Sequence, residues 1–129
     1  MTHINDFRNN VVLANDGNSL PPAVRTASAN GAWVDLRDTD GNGFALQNVG
    51  VVSGTTPTLD TKLQEADDAA GTGAQDIAGA TFTQVTASNK TQAINFKRTK
   101  GFVRAVATIA GTTPSFPSTV IVSGQRKAV

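Results

Sequence analysis

The chain has no cysteine and no tyrosine, and only one histidine and one tryptophan. Without cysteine there is no disulfide, no thiolate metal site and no cysteine nucleophile. The single imidazole belongs to His3. A Ser-His-Asp triad needs a histidine held by its partners, and a chain terminus holds nothing firmly, so His3 is expected to be solvated. Charge is scarce too: Asp, Glu, Lys and Arg make up 16% of the residues, against about 25% in an ordinary soluble domain. A net charge of +1 and a pI near 8.2 are too balanced for binding driven by counterion release, so no nucleic-acid partner is expected. Apolar runs last only a few residues, far short of the roughly 20 that a membrane helix needs. Met1 to Arg8 shows no basic start followed by an apolar run. Neither a membrane partner nor a signal peptide is expected.

Thr, Ser, Ala, Gly and Asn fill the space that charge leaves. Short neutral side chains lose little entropy when a surface is covered. The composition therefore suits either a Thr-rich β-protein or a surface meant to be packed upon. At 129 residues one domain with a real core is expected.

Turn signals divide the sequence into short apolar or alternating runs. Thr58 to Glu65 alternates, with Leu59, Thr61 and Leu63 facing one way and Asp60, Lys62 and Gln64 the other. That is the pattern of a half-buried antiparallel strand. Val103, Ala105, Ala107 and Ile109 share a face of another strand, and Phe116, Val120 and Val122 share a face of the last. About eight short strands and no helix predict an all-β fold, an antiparallel β-sandwich of jelly-roll or Ig-like type. Pro117 marks an edge position or a bulge. Residues 1–30 are polar and broken, with Asn15-Asp16-Gly17-Asn18 as a turn and Pro21-Pro22 as extended backbone. They read as an extended N-terminal arm or edge segment, and 31–129 as the sandwich domain.

One tetrapeptide occurs twice. Gly54-Thr55-Thr56-Pro57 and Gly111-Thr112-Thr113-Pro114 lie 57 residues apart (111 − 54), each between an apolar run and a hydroxyl residue. Gly relaxes φ, Pro fixes it, and threonine can hydrogen-bond a turn. Both copies are therefore expected to be tight hairpin turns, the same turn chemistry used twice rather than an internal duplication.

Few constellations could carry chemistry. Asp38-Thr39-Asp40-Gly41-Asn42-Gly43 matches the first half of a calcium loop, in which alternate oxygens converge on a hard cation. The twelfth position, which should hold a bidentate Glu, is Val49. Asp38, Asp40 and Asn42 remain weak metal candidates, and a polar hairpin turn is the competing reading. Asp67 and Asp68 are sequence neighbours, so an extended chain points them apart. Gly71-Thr72-Gly73 lacks the Lys-Ser/Thr of a phosphate loop. Arg98, Lys100 and Arg104 cluster near Phe96 and Phe102, and read as a solvated hairpin tip. No catalytic residue and no cofactor is indicated.

Four phrases carry a resemblance. They are Trp33-Val34-Asp35-Leu36-Arg37, the stretch from Val49 to Asp68, Asp76-Ile77-Ala78-Gly79-Ala80, and the stretch from Phe102 to Phe116. In this order and spacing the region from Trp33 to Lys127 resembles small head proteins of tailed bacteriophages that decorate or cement the capsid. The resemblance implies a non-enzymatic β-sandwich on the outer surface of the virion, bound to the major capsid protein. Such proteins fit a lattice as symmetric oligomers, a trimer being expected first and a dimer second. An anchor in the arm would use its isolated apolar residues Ile4, Phe7, Val11 and Leu13, by β-augmentation. The alternative is a binding module of a phage tail or fibre, for a carbohydrate or protein receptor. With one Trp and no Tyr, the chain is poor in the aromatic platforms a sugar needs.

Overall fold

The computed structural model describes residues 11–12 and 17–126, with side chains for 17–124. His3, Ile4, Phe7 and Leu13 lie outside the described residues. Among the described residues, nine strands and no α-helix are found: β1 (Val11–Val12), β2 (Asn18–Arg25), β3 (Ala29–Asn30), β4 (Val34–Asp35), β5 (Thr39–Val49), β6 (Ser53–Ala66), β7 (Gln75–Thr81), β8 (Lys90–Lys97) and β9 (Phe102–Arg126). Every pairing is antiparallel. The all-β antiparallel class is as expected; the strand lengths are not, since β9 alone runs for 25 residues.

β9 belongs to two sheets. Its first half lies between β6 on one side and β3 and β4 on the other, with β7 outside β6. Its second half lies between β5 and β2, with β8 outside β5 and β1 at the end of β9. β5 and β6 together accompany β9 along its whole length, from Thr39 opposite Arg126 to Ala66 opposite Phe102. The backbone of the fold is thus one long, bent two-stranded ribbon. The outer strands curl the two sheets into a nearly closed, sandwich-like barrel.

Burial follows the pleat. Leu59, Thr61, Leu63 and Glu65 of β6 are buried while Asp60 is exposed. In β9 the alternating buried positions are Val103, Ala105 and Ala107 before the bend, then Phe116, Ser118, Val120 and Val122 after it, with Phe102 and Ser123 buried as well toward the two ends. The parity changes from odd to even across Gly111–Pro114. A side-chain period of two allows this only where a bulge intervenes. The inward faces enclose one core, in which Phe116, Leu36, Leu59, Leu63 and Val34 are among the largest fully buried side chains.

Residues 18–30 run beside β9. Leu20 is buried, and Ser19 Oγ donates to the Ala32 carbonyl at 2.9 Å and accepts the Ala105 N–H at 2.8 Å. Pro21 and Pro22 fall at a register shift between Leu20 and Ala23, where a missing N–H disturbs no ladder. Pro117 does not open a separate last strand. It sits within β9 opposite Val24, and its carbonyl accepts the Gly50 N–H at 2.7 Å.

Candidate interaction surface

The two Gly-Thr-Thr-Pro copies are not hairpin turns. One lies in β6, the other in β9, and they pair with each other: Ser53 opposite Ser115, Thr55 opposite Thr112 and Thr58 opposite Ala110, with a register shift on each side of Thr55. They form the bend of the ribbon. Gly54 has φ +115° and Gly111 φ +118°; Thr56 has φ 46° and Thr113 φ 47°. A Cβ on Gly54 would stand 2.7 Å from the Thr113 carbonyl oxygen, and one on Gly111 2.8 Å from that of Thr56. Each glycine thus admits the backbone of the other copy. Thr56 Oγ1 donates to the Thr55 carbonyl and Thr113 Oγ1 to the Thr112 carbonyl, both at 2.8 Å. The motif repeats because it is its own partner, related by a local twofold. Turn composition occurs here without a turn, because Gly at positive φ serves a close strand crossing as well as a hairpin.

This knuckle is exposed from Ser53 to Thr56 and from Ala110 to Thr113. Val51 beside it is 69% exposed, and Val24 on β2 is 66% exposed; they are the large hydrophobic residues left open among the described ones. Val24 lies opposite Pro117, which in turn contacts Gly50. Val24, Pro117 and Gly50 therefore make an apolar strip on the outer face, and Val51, next in the chain, leads from it to the hydroxyl-rich knuckle. The knuckle itself is neutral and made of short side chains, while Arg25 borders the strip and donates to the carbonyls of Ser118 and Pro21.

At the far end of the ribbon the chemistry is the reverse. Glu65, 4% exposed, accepts hydrogen bonds from Gln75 Nε2 (2.7 Å), Thr99 N–H (2.7 Å), Thr99 Oγ1 (2.8 Å) and Lys100 N–H (3.1 Å). Burial pushes its carboxyl up, but these donors outweigh that and hold it below the usual glutamate value. Arg98 Nη2 donates to the carbonyls of Leu36 (2.7 Å) and Thr39 (2.8 Å), and Nη1 to that of Lys100 (3.2 Å). The Arg37 guanidinium lies 5.0 Å from the centre of the Phe102 ring and that of Arg104 4.5 Å from Trp33. Lys100 Nζ donates to the Gly73 carbonyl at 2.6 Å and faces Asp67 at 3.6 Å.

The basic cluster expected at a solvated tip is therefore a set of clamps. Arg98 is half-buried, Phe96 and Phe102 are buried, and each cation is engaged within the protein. Alternation alone could have found Glu65, which continues the inward parity of Leu59, Thr61 and Leu63. Nothing in the sequence marks Arg98 as a clamp, because its acceptors are backbone carbonyls. Gln47 is also inward, 1% exposed, and neither its Nε2 nor its Oε1 has a hydrogen-bond partner among the described residues. Burying an amide in that way costs about 1–3 kcal/mol.

The weak calcium candidates open a strand rather than a loop. β5 begins at Thr39, Asn42 pairs with Lys97, and Asp40 Oδ1 accepts the Asn42 N–H at 2.8 Å. Asp38 and Asn42 are exposed. No group of three or more His, Cys, Asp or Glu side chains that could hold a metal occurs among the described residues. Asp68 Oδ1 accepts the N–H groups of Ala70 and Thr72, each at 3.0 Å, and so shapes its own loop. Of the proposed anchor residues, Val11 pairs with Gln125 of β9.

The phrases that carry the family resemblance are separate in sequence but contiguous in space. Val34–Asp35 pairs with Val103–Phe102, β9 pairs with β6 from Thr58 to Ala66, and β7 pairs with the outer side of β6. Together they build one sheet. No protein-family model and no curated protein matches the chain.

Proposed function

We propose that this is a non-enzymatic virion protein that binds the outside of a tailed-phage head and cements or decorates the lattice of the major capsid protein. The observation that carries the reading is that all four resembling phrases assemble into a single sheet, β4-β9-β6-β7, so the likeness falls on one structural unit. The neutral knuckle and its apolar strip suit a surface that is covered at little entropic cost. The chain self-associates as a trimer in preference to a dimer, and the segment bearing Ile4, Phe7, Val11 and Leu13 supplies part of the shell contact. Many weak contacts repeated over a lattice add up through avidity.

A receptor-binding role on a tail or fibre has less support. The lone indole, Trp33, is stacked under Arg104 and packed near Gly71, and does not stand open as a sugar platform.

The purified chain should co-sediment with assembled shells of the major capsid protein of the same phage, saturating at a fixed ratio, and not with unassembled subunits. Light scattering of the free protein reports its oligomeric state. Absence from the shell pellet at micromolar concentration would reject the cement reading.

A further inference from the structure

β7 and the segment that continues it, Phe82 to Val85, run along the outer side of β6, while β8 runs along the outer side of β5. The two edges face each other across a seam. The Phe82 N–H donates to the Thr61 carbonyl and the Val85 N–H to that of Leu59, both at 2.9 Å. Between them the backbone of Thr83 is turned the other way, toward β8, where a side chain meets it. Gln92 Nε2 donates to the Thr83 carbonyl at 2.9 Å, and Gln92 Oε1 accepts the Thr83 N–H at 2.8 Å. One amide thus does what a paired strand would do, and clips the seam. On either side of the clip the seam is open. A groove of about 390 Å³ lies between Gln84–Thr86 and Lys90–Thr91, and one of about 550 Å³ is lined by Gly43, Ala78, Gly79, Asn95 and Phe96.

Gln92 has a second partner within reach. Directly opposite it on β5 stands Gln47. Opposed residues send their side chains to the same face of the sheet, with Cβ atoms about 5 Å apart. Gln47 is 1% exposed, and neither atom of its amide has a hydrogen-bond partner among the described residues. Val120, which opposes Gln47 on its other flank, has no polar side chain to offer. Two glutamine amides satisfy each other reciprocally, N–H to C=O in each direction. When Gln92 turns from Thr83 to Gln47, two hydrogen bonds replace two. The buried amide gains partners, and the exposed Thr83 meets water instead. Against this, the half-buried amide of Gln92 gives up its own contact with water. Gain and cost oppose each other, which keeps the two arrangements close in free energy, the condition for a two-state element.

We propose that Gln92 is a latch with two positions: on Thr83 it closes the seam between the β7 and β8 edges, and on Gln47 it releases the seam and joins the two grooves into one open sheet edge. The latch is a property of the free chain and stands or falls separately from shell binding.

Amide hydrogen exchange of the full chain, read by NMR, tests it. Gln47→Leu keeps an inward side chain of similar volume and removes the second position. The Thr83 N–H should then exchange about tenfold more slowly than in the parent. The slowing should exceed any change at the Gly31 N–H, which is bonded to Ala105 on the far flank of β9 and reports global opening. Gln92→Ala removes the latch itself. Thr83 should then exchange about tenfold faster than in the parent, and adding Gln47→Leu should bring no further local change. A Thr83 rate that merely follows Gly31 in Gln47→Leu would overturn the proposal. So would a local slowing by Gln47→Leu that persists in Gln92→Ala, since the buried amide would then act through something other than Gln92.

Discussion

The long ribbon is fastened at two places by opposite means. At its bend, the Gly-Thr-Thr-Pro copies meet backbone to backbone, in the open, with no charged side chain and with Thr56 and Thr113 at positive φ. At the Ala66–Phe102 end, side chains do the fastening: a buried carboxylate collects four donors and an arginine caps three carbonyls. The contrast follows from what each place must do. Where two strands cross with no room between them, only the absence of a side chain helps, and a self-matching motif supplies it twice. Where loops of unequal length must be gathered, the orphan carbonyls and N–H groups need acceptors and donors that reach. The knuckle should therefore be sensitive to bulk and indifferent to pH, and the far end the reverse.

The largest effect is expected from adding one methyl group at the bend. Gly111→Ala places a Cβ 2.8 Å from the Thr56 carbonyl oxygen and 2.9 Å from Pro57 Cα, at a φ of +118°. Backbone must move, and the dihedral is one that glycine alone adopts readily. A loss of about 3 kcal/mol in urea denaturation is expected. Gly54→Ala should match it through the same contacts, and the double variant should lose less than the sum because the two share one crossing. Gly50→Ala is the control: its Cβ would meet Pro117 Cβ at 3.5 Å, an ordinary contact. Equal losses at Gly50 and Gly111 would show that the crossing is not tight.

The other end is probed by charge. Glu65→Gln preserves size but leaves one acceptor oxygen in place of two and turns an NH2 toward the donors of the other, for a loss of about 2–3 kcal/mol. The Glu65 carboxyl is held below its ordinary value in the folded protein, which in the unfolded chain is about 4.3. Its stabilisation is thus fully present above that pH and is lost as pH falls through the lower, folded value. The gap between parent and Glu65→Gln should be widest near neutrality and close on acidification, while the Gly111→Ala gap stays flat. A Glu65→Gln difference that is constant from pH 7 to about 3 would remove the charge from the account.

These two regions also differ in how far the sequence disclosed them. Period-two alternation marked the inward faces of β6 and of both halves of β9, because burial on a pleated strand leaves that trace whatever the partner. It even places Glu65 inside. It could not say that Phe102 to Ala110 and Ser115 to Gly124 are one strand, since Gly, Thr and Pro between them score as a turn in any local reading. Nor could it show that the interrupter pairs with its own copy, a contact spanning more than fifty residues. Asp38 to Gly43 shows the same limit: its composition signals a turn, and Asp38 lies in one, yet β5 already begins at Thr39 and Asn42 pairs with Lys97. Ser19 and Leu20 looked like part of a polar arm because their value lies in what they meet, the Ala105 N–H and the core. Arg98 stands out in the sequence only as one of a basic cluster, and its role as a clamp leaves no trace, since carbonyl acceptors have no sequence signature.

The smallest expected effect separates strain from hydrogen bonding at the bend. Thr113 sits at φ 47° and its Oγ1 donates to the neighbouring Thr112 carbonyl. A left-handed dihedral costs a side-chain-bearing residue about 1–2 kcal/mol. Glycine removes that cost but returns about 0.5–1 kcal/mol through its looser unfolded chain. The exposed hydroxyl contact adds little in water. Thr113→Gly should therefore stabilise by about 0.5 kcal/mol, whereas Thr113→Val, which keeps the strain and drops the hydroxyl, should destabilise slightly. Should Thr113→Gly instead lose more than about 1 kcal/mol, the hydroxyl is holding the bend. The knuckle would then be fastened by side chains like the far end, and the division between the two regions would fail.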